Sequence, residues 1–270
     1  MIRIFSILVG LFFTAALGWS LILGGINLAQ EGLPHSAEKS FGKHAKALPL
    51  ASDGVFGHFD KTQLQRGFKV YQEVCAACHS LSLVAYRDLT ALGYNEDEVK
   101  AIAAKAQIPV YSSATGEVKS HAGLAVDRFP PVAYGGQGTP PDLSLITKAR
   151  HGGAAYVYSL LTGYETQQPA ELLKKYPDSK TGNGLFYNPY FANLNLSMPP
   201  PLSEANIVQY SDGTKGSVDQ NAKDVSAFLV WTAEPKLDKR NQTGWPVVLF
   251  LLFATVLAYM AKRNVWADQH

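Results

Sequence analysis

Two long apolar blocks bracket a middle in which apolar and polar positions alternate at shorter range. Ile4 to Ala29 is almost wholly apolar and is preceded only by Arg3. The run is longer than a usual signal-peptide core, while the small residues near Leu28-Ala29 offer a cleavage point; residues 1–30 are thus a signal peptide or an N-terminal anchor. The second block, Trp245 to Ala261, has Thr255 and Tyr259 as its polar breaks and sits at the short limit for a bilayer span. Its flanks favour a span over a buried core helix. Lys239-Arg240 precede it, Lys262-Arg263 follow at once, and Trp245, Tyr259 and Trp266 fall where an aromatic belt lies. A transmembrane helix over 245–261 with a cytoplasmic tail at 262–270 is expected. Arg3 and the Lys262-Arg263 pair both favour the cytoplasm, which puts the intervening domain outside.

Between the blocks the pattern is mostly helical and often interrupted. Residues 31 to 59 show little periodicity and read as an extended lead-in, with His35, His44 and His58 as solvated loop histidines. Asp60 is a good N-cap for a helix from Lys61 to about Val74, with Leu64, Phe68, Tyr71 and Val74 forming one apolar stripe. Gly67 beside that stripe permits close approach of another helix. Glu96 to Lys105 reads as an acidic-started surface helix stopped before Pro109. Tyr111 to Gly138 reads as a long loop, with His121 exposed. Asp142 is expected to cap a short helix that points Leu143 and Ile146 inward and places Arg150 at its C-terminal end, where a cation suits the helix dipole. Ala154 to Leu161 is a further short helix bearing Tyr156 and Tyr158. Gly163 to Leu185 is polar and insertion-like, and Phe186 to Pro201 is a stiff aromatic and proline-rich loop. The last helix of the domain is expected over Asp224 to Ala233, with Phe228 or Leu229 packing on Gly67 and Tyr71.

Composition narrows the function classes. The chain has 270 residues and a net charge of +2, too mild to suggest nucleic-acid binding, and its 47% hydrophobic content is concentrated in the terminal blocks. It holds two cysteines, and both lie in Cys75-Ala76-Ala77-Cys78-His79. This C-x-x-C-H run is the attachment signature of a c-type haem. Two thiols at that spacing on a helical turn can add to the two vinyl groups, and the adjacent imidazole then reaches the iron. Half a zinc site would need two further ligands at regular spacing, and no second C-x-x-C or H-x-x-x-H is present. A thioredoxin-like dithiol would lie between a strand and a helix, and the flanks do not read that way. One haem is expected, because the motif occurs once.

The sixth iron position needs a donor. Among the three methionines, Met1 begins the chain and Met260 lies in the expected span, which leaves Met198, followed by three prolines that hold it on a rigid rail.

These features occur in an ordered series: CAACHSL at 75–81, PPDLS at 140–144, KARHGG at 148–153, YSLLTGY at 158–164, YNPYF at 187–191, MPPPL at 198–202 and KDVSAFLVWTAEP at 223–235. The series resembles the cytochrome c1 family, the c-haem subunits of ubiquinol–cytochrome c reductase (respiratory complex III), over roughly Phe56 to Trp266. The resemblance implies a mainly α fold, a class I cytochrome c-like haem domain with long loops over residues 31–240, plus the C-terminal transmembrane helix. It implies thioether attachment at Cys75 and Cys78 and axial ligation by His79 and Met198. It further implies a Pro141 carbonyl holding the His79 ring, Arg150 beside a haem propionate and Tyr156 beside the ring. The segment before PPDLS departs from many mitochondrial members, with Tyr134-Gly135-Gly136-Gln137-Gly138 where an Asn is common. No catalytic residue is expected in a chain that carries electrons without being an enzyme on its own. The implied partners are cytochrome b and the Rieske iron–sulfur protein, a cytochrome c as acceptor, and the membrane, in a complex that is dimeric. Glu165, Glu171 and Asp178 are candidates for an acidic docking surface. The implied location is the inner (cytoplasmic) membrane of a bacterium, single-pass at the C-terminus, with the haem domain periplasmic.

Overall fold

The computed structural model describes residues 2–31, 36–111, 113, 116–132, 134–136 and 138–268. His35 and Gln137, singled out above, lie outside these residues. Two compact units are present, residues 1–42 and 43–270. In the first, helix α1 (Ile2–Glu31) is exposed along its apolar length. It is long and apolar enough to cross a membrane, a property it shares with signal sequences. The short α2 (Ala37–Phe41) interrupts the stretch read as extended; the Ser36 hydroxyl caps it by accepting from the Lys39 amide at 3.3 Å.

The second unit is mainly helical with long connections. Asp60 caps α3 (Lys61–Val70) by accepting from the amides of Thr62 and Gln63 at 2.9 and 3.2 Å. The helix then widens into a π turn over Tyr71–Cys75, so the expected single helix to Val74 changes its winding where the C-x-x-C-H run begins. A 3-10 turn, Tyr86–Leu92, leads to α4 (Glu96–Ala104). There Asn95 and Glu98 form a reciprocal capping box, while Val99 and Ala103 bury one face. Strands β1 (Gln107–Tyr111) and β2 (Val118–Ala122) pair antiparallel, with Ile108 opposite His121. This corrects the long-loop reading of residues 111–138. The hairpin is almost wholly exposed, so no buried face imposed the alternation that marks a strand.

Short helices α5 (Ile146–Ala149), α6 (Gly153–Leu161) and α7 (Ala170–Lys175) follow. The proline-rich stretch after residue 185 is not wholly irregular. Strands β3 (Phe186–Tyr187) and β4 (Asn195–Leu196) form a two-rung ladder within it. Helix α8 (Val218–Ala233) begins well before the expected Asp224, capped by Ser217, whose hydroxyl accepts from the Gln220 amide at 3.1 Å. Asp219, Gln220 and Lys223 mask its first turns in the sequence, yet Asn221 and Ala222 are buried there. Helix α9 (Leu237–Val265) contains the expected span and extends past both its ends.

The core lies where α3 crosses α8. A Cβ on Gly67 would stand 2.0 Å from the Asp224 carbonyl oxygen and 2.7 Å from the Phe228 Cβ, so only glycine permits this approach. The contact seats Phe228 against Phe68 and Tyr71, with ring centroids 5.5 and 5.8 Å apart, and Trp231 stacks on Phe228 at 5.7 Å. Such pairs add about 0.5–1.5 kcal/mol each beyond their burial. Asp224 is fully buried on the same face, and its charge is compensated by Arg66 Nε donating at 2.8 Å. The crossing therefore fixes the end of α3, from which the cysteine motif emerges.

Candidate functional site

The π turn places the motif. The Ala76 amide donates to the Tyr71 carbonyl at 2.8 Å, and the amides of Cys78 and His79 both donate to the Cys75 carbonyl, at 3.1 and 2.9 Å. This tight coil turns Cys75, Cys78 and His79 onto one cavity of about 810 Å³. Pro141, Arg150, Tyr156 and Met198 line the same cavity, so the fold brings together all seven residues selected from the sequence. Leu143, Ile146, Leu160, Leu161, Val225 and Leu229 are part of its apolar wall.

The segment after the motif is stitched to residues 141–144. His79 Nδ1 lies 2.7 Å from the Pro141 carbonyl oxygen. That contact makes Nδ1 the protonated nitrogen and leaves the Nε2 lone pair available. The Leu143 amide donates to the Ser80 carbonyl at 2.9 Å, and the Ser82 amide to Asp142 Oδ2 at 2.7 Å. The Tyr71 hydroxyl adds a bond to the His79 carbonyl at 2.9 Å. Asp142 thus does not cap α5, as the sequence suggested. Its carboxylate bridges the Ser82 and Ser144 amides across two segments; the surrounding chain strips part of its solvent, but these hydrogen bonds outweigh that and hold it below the usual carboxylate range.

Met198 reaches the cavity from the loop after β4. The Tyr164 hydroxyl donates to the Met198 carbonyl at 3.1 Å. The fully buried Asn188 donates through Nδ2 to the Leu160 carbonyl at 2.8 Å and accepts from the Tyr190 amide at 3.0 Å. Leu194 is also fully buried and sits at φ 65, a left-handed backbone that costs a leucine energy and is kept here by the surrounding packing. Neither Tyr164 nor Asn188 was given a role from sequence. Both lie in segments already conspicuous, YSLLTGY and YNPYF, where an Asn just before a proline is a recognisable turn signal.

Electrostatics narrow the chemistry. Burial, and then the neighbouring Cys78, push the Cys75 thiol up to about 12. The two cysteines are not disulfide-bonded, and no group of three or more His, Cys, Asp or Glu side chains suited to a metal occurs among the described residues. Arg150 is exposed at the end of α5 and donates to the Ala149 carbonyl at 3.2 Å. Burial raises the Tyr156 phenol, and the adjacent Arg150 guanidinium partly offsets it. Tyr158, on the same helix, instead donates its hydroxyl to Asp219.

These features fit a flat, largely apolar, acidic-edged ring. The volume falls in the range of small-molecule and cofactor sites. Two thiols, an imidazole with a free nitrogen and a thioether converge on it, and a cation stands in its lining. Of the candidate docking acids, Glu165 pairs with Lys43 at 2.7 Å, while Glu171 lies on α7 and Asp178 in the 3-10 turn after it.

Comparison with known proteins bears on most of the chain. The model of the Cytochrome C1 family matches residues 50–269. Cytochrome c1 of Rhodospirillum rubrum is 38% identical over 265 residues, covering 92% of this chain and 96% of that protein. The mitochondrial cytochrome c1 heme protein of Neurospora crassa is 40% identical over 234 residues, covering 84% and 68%. Cytochrome b/c1 of Bradyrhizobium diazoefficiens is 39% identical over 239 residues, covering 80% of this chain and 35% of that protein.

Proposed function

The chain belongs to the cytochrome c1 family, and from that premise we propose that it relays single electrons from a Rieske iron–sulfur protein to a cytochrome c. Membership makes it a haem subunit of complex III electron transfer rather than an enzyme on its own, and the apolar terminal helices fit membrane anchoring. The observation that carries the finer reading is the convergence of Cys75, Cys78, His79 and Met198 on one cavity, with the His79 ring oriented by Pro141.

In this reading Cys75 and Cys78 would hold one haem by thioether bonds, and His79 Nε2 and the Met198 sulfur would be the protein donors to its iron. When bound, the haem supplies a one-electron iron couple. Two protein donors would leave no iron position for oxygen or peroxide, and a thioether donor would favour the reduced metal and raise the potential. Pro141 fixes the imidazole tautomer and plane. Arg150 pairs with a propionate, and Tyr156 packs beside the ring. The apolar wall excludes water, which limits reorganisation when the charge changes. Helix α9 holds the domain beside its donor, replacing free diffusion by high local concentration. The basic residues at its end favour a cytoplasmic C-terminus and a periplasmic haem domain in a bacterial inner membrane. The name of the Bradyrhizobium diazoefficiens relative joins a cytochrome b to a c1, which supports cytochrome b as the neighbour.

The test is purification in mild detergent, read by optical redox spectrum and by the masses of copurified subunits. A far-red band in the oxidised protein and copurification with cytochrome b and the Rieske protein are expected. Rapid cyanide binding without that band would favour a peroxidase-like haem protein with an open sixth position. Met198→Lys should keep the haem and lower the potential; an unchanged redox titration removes Met198 as ligand. Cys75→Ala or Cys78→Ala should leave little stable holoprotein.

A further inference from the structure

Beside the first turns of α9 lies a loop with no part in the cavity. The Leu50 amide donates to Asp53 Oδ2 at 2.8 Å, the Gly57 amide to the Gly54 carbonyl at 3.2 Å and the His58 amide to the Ala51 carbonyl at 2.9 Å. A Cβ on Gly57 would stand 2.2 Å from the Ser52 carbonyl oxygen, so the loop closes tightly on itself. Its tip nevertheless turns two large apolar side chains outward: Val55 is 63% exposed and Phe56 is 74% exposed.

The loop is strapped to α9 at successive turns. The Phe59 amide donates to Asp238 Oδ1 at 3.0 Å, and Asn241 Nδ2 donates to the Gly57 carbonyl at 2.8 Å. Trp245 Nε1 donates to the Val55 carbonyl at 3.4 Å, and the Trp245 ring stacks on Phe56 with centroids 4.9 Å apart and planes 11° apart. Trp245 opens the apolar block of α9. At 1.5 Å per residue the block from Trp245 to Ala261 is about 25 Å long, close to the hydrocarbon thickness of a bilayer. Trp245 therefore stands at the headgroup boundary, where tryptophan is favoured. The stack fixes Phe56 at the same depth.

We propose that Val55 and Phe56 form a second membrane foot, inserted in the headgroup–acyl boundary of the leaflet that α9 enters at Trp245. The patch is continuous with the exposed apolar surface of α9, including Val247, Val248 and Leu249. Two side chains are far too few for a stable protein interface, and they suit interfacial insertion. With α9 alone the domain could swivel and tilt about a single helix. A second point of attachment, offset from the helix axis, restrains that tilt and sets the height of the cavity above the membrane.

The haem-loaded full chain, carrying a nitroxide at Val55→Cys or Phe56→Cys, is reconstituted in phosphatidylcholine vesicles with phosphatidylglycerol as the minor lipid. Glu171→Cys on α7 and Leu251→Cys in α9 are the aqueous and hydrocarbon references. Collision rates with oxygen, which concentrates in lipid, and with a polar nickel complex, which is excluded, are compared. The expected result is a several-fold loss of nickel collisions at 55 and 56 relative to 171, together with raised oxygen collisions. Nickel access at both positions equal to that at 171 overturns the proposal. Loss of both collision types, in vesicles or only on assembly with other subunits, shows a covering protein and also overturns it. Nickel access at 251 shows that α9 does not span, and the foot fails with it. Position 55 keeps the test sound if loss of the Phe56 ring disturbs the Trp245 stack.

Discussion

The segment that carries His79 and the segment that carries Met198 meet at one cavity but are built differently. The first runs directly out of α3 through hydrogen bonds only a few residues apart, and α3 is clamped to α8 by ring contacts and the Gly67 crossing. The second is a short ladder and a proline rail that contains a left-handed Leu194 and is held by scattered long-range bonds, among them those from Tyr164 and Asn188 and the Lys43 amide donating to the Pro189 carbonyl at 2.7 Å. A locally wound, core-backed segment is disturbed only when the core is. A loop held by a few long-range bonds can loosen alone, because local opening costs less free energy than global unfolding.

The largest expected effect attacks the His79 side. Gly67→Val forces a branched side chain into the Asp224 backbone, where contact is already impossible for a bare Cβ. Loss of at least about 3 kcal/mol, the upper range for overpacking, should leave little folded protein in thermal and denaturant melts. A near-normal melt would mean that the crossing does not govern the fold.

Asn188→Ala comes next, on the Met198 side. It strips a fully buried bond to Leu160 and orphans the Tyr190 amide, a cost of about 2 kcal/mol. Hydrogen exchange should quicken over residues 186–201 and stay unchanged over 75–83. Equal quickening in both would erase the distinction between the two segments. Tyr164→Phe removes the single bond to the Met198 carbonyl, a net loss of about 1 kcal/mol. With Met198 as the proposed iron donor, the signature is its faster displacement by added imidazole in the holoprotein, with the His79 contact to Pro141 intact.

The smallest effect is electrostatic. Glu234 accepts from Arg240 and Lys148, and these partners hold its carboxylate at about 2 against an ordinary 4.5. A depressed carboxylate contributes stability that is fully present above the unfolded value of 4.5 and is lost as the pH falls through about 2. Its partners are more than half exposed, Lys148 at 54% and Arg240 at 58%, so solvent screening keeps the contribution small. Glu234→Gln should flatten the acid limb of a stability–pH profile slightly; an unchanged limb would show that the ion pairs contribute nothing.

Much of the molecule was legible beforehand, and the reasons are specific. Asp60, the Leu64, Phe68 and Tyr71 stripe and Gly67 mark α3 and its crossing, because caps and helical periodicity are local signals. The β1–β2 hairpin was read as loop because neither face is buried. The start of α8 was missed because Asp219 and Lys223 interrupt its stripe. Asp142 looked like a cap by type and position, but its partners include an amide from a distant segment.

The chain by itself determined the two long apolar helices, the cysteine motif and the scarcity of methionine, since each depends on composition or on spacing within a few turns. Only the tertiary structure decided that seven residues scattered from 75 to 198 share a cavity, that Tyr164 and Asn188 hold its outer loop, and that Phe56 lies flat on Trp245. Those facts are distances between remote positions. They follow from which apolar surfaces pack together, and no local pattern of side chains contains that choice.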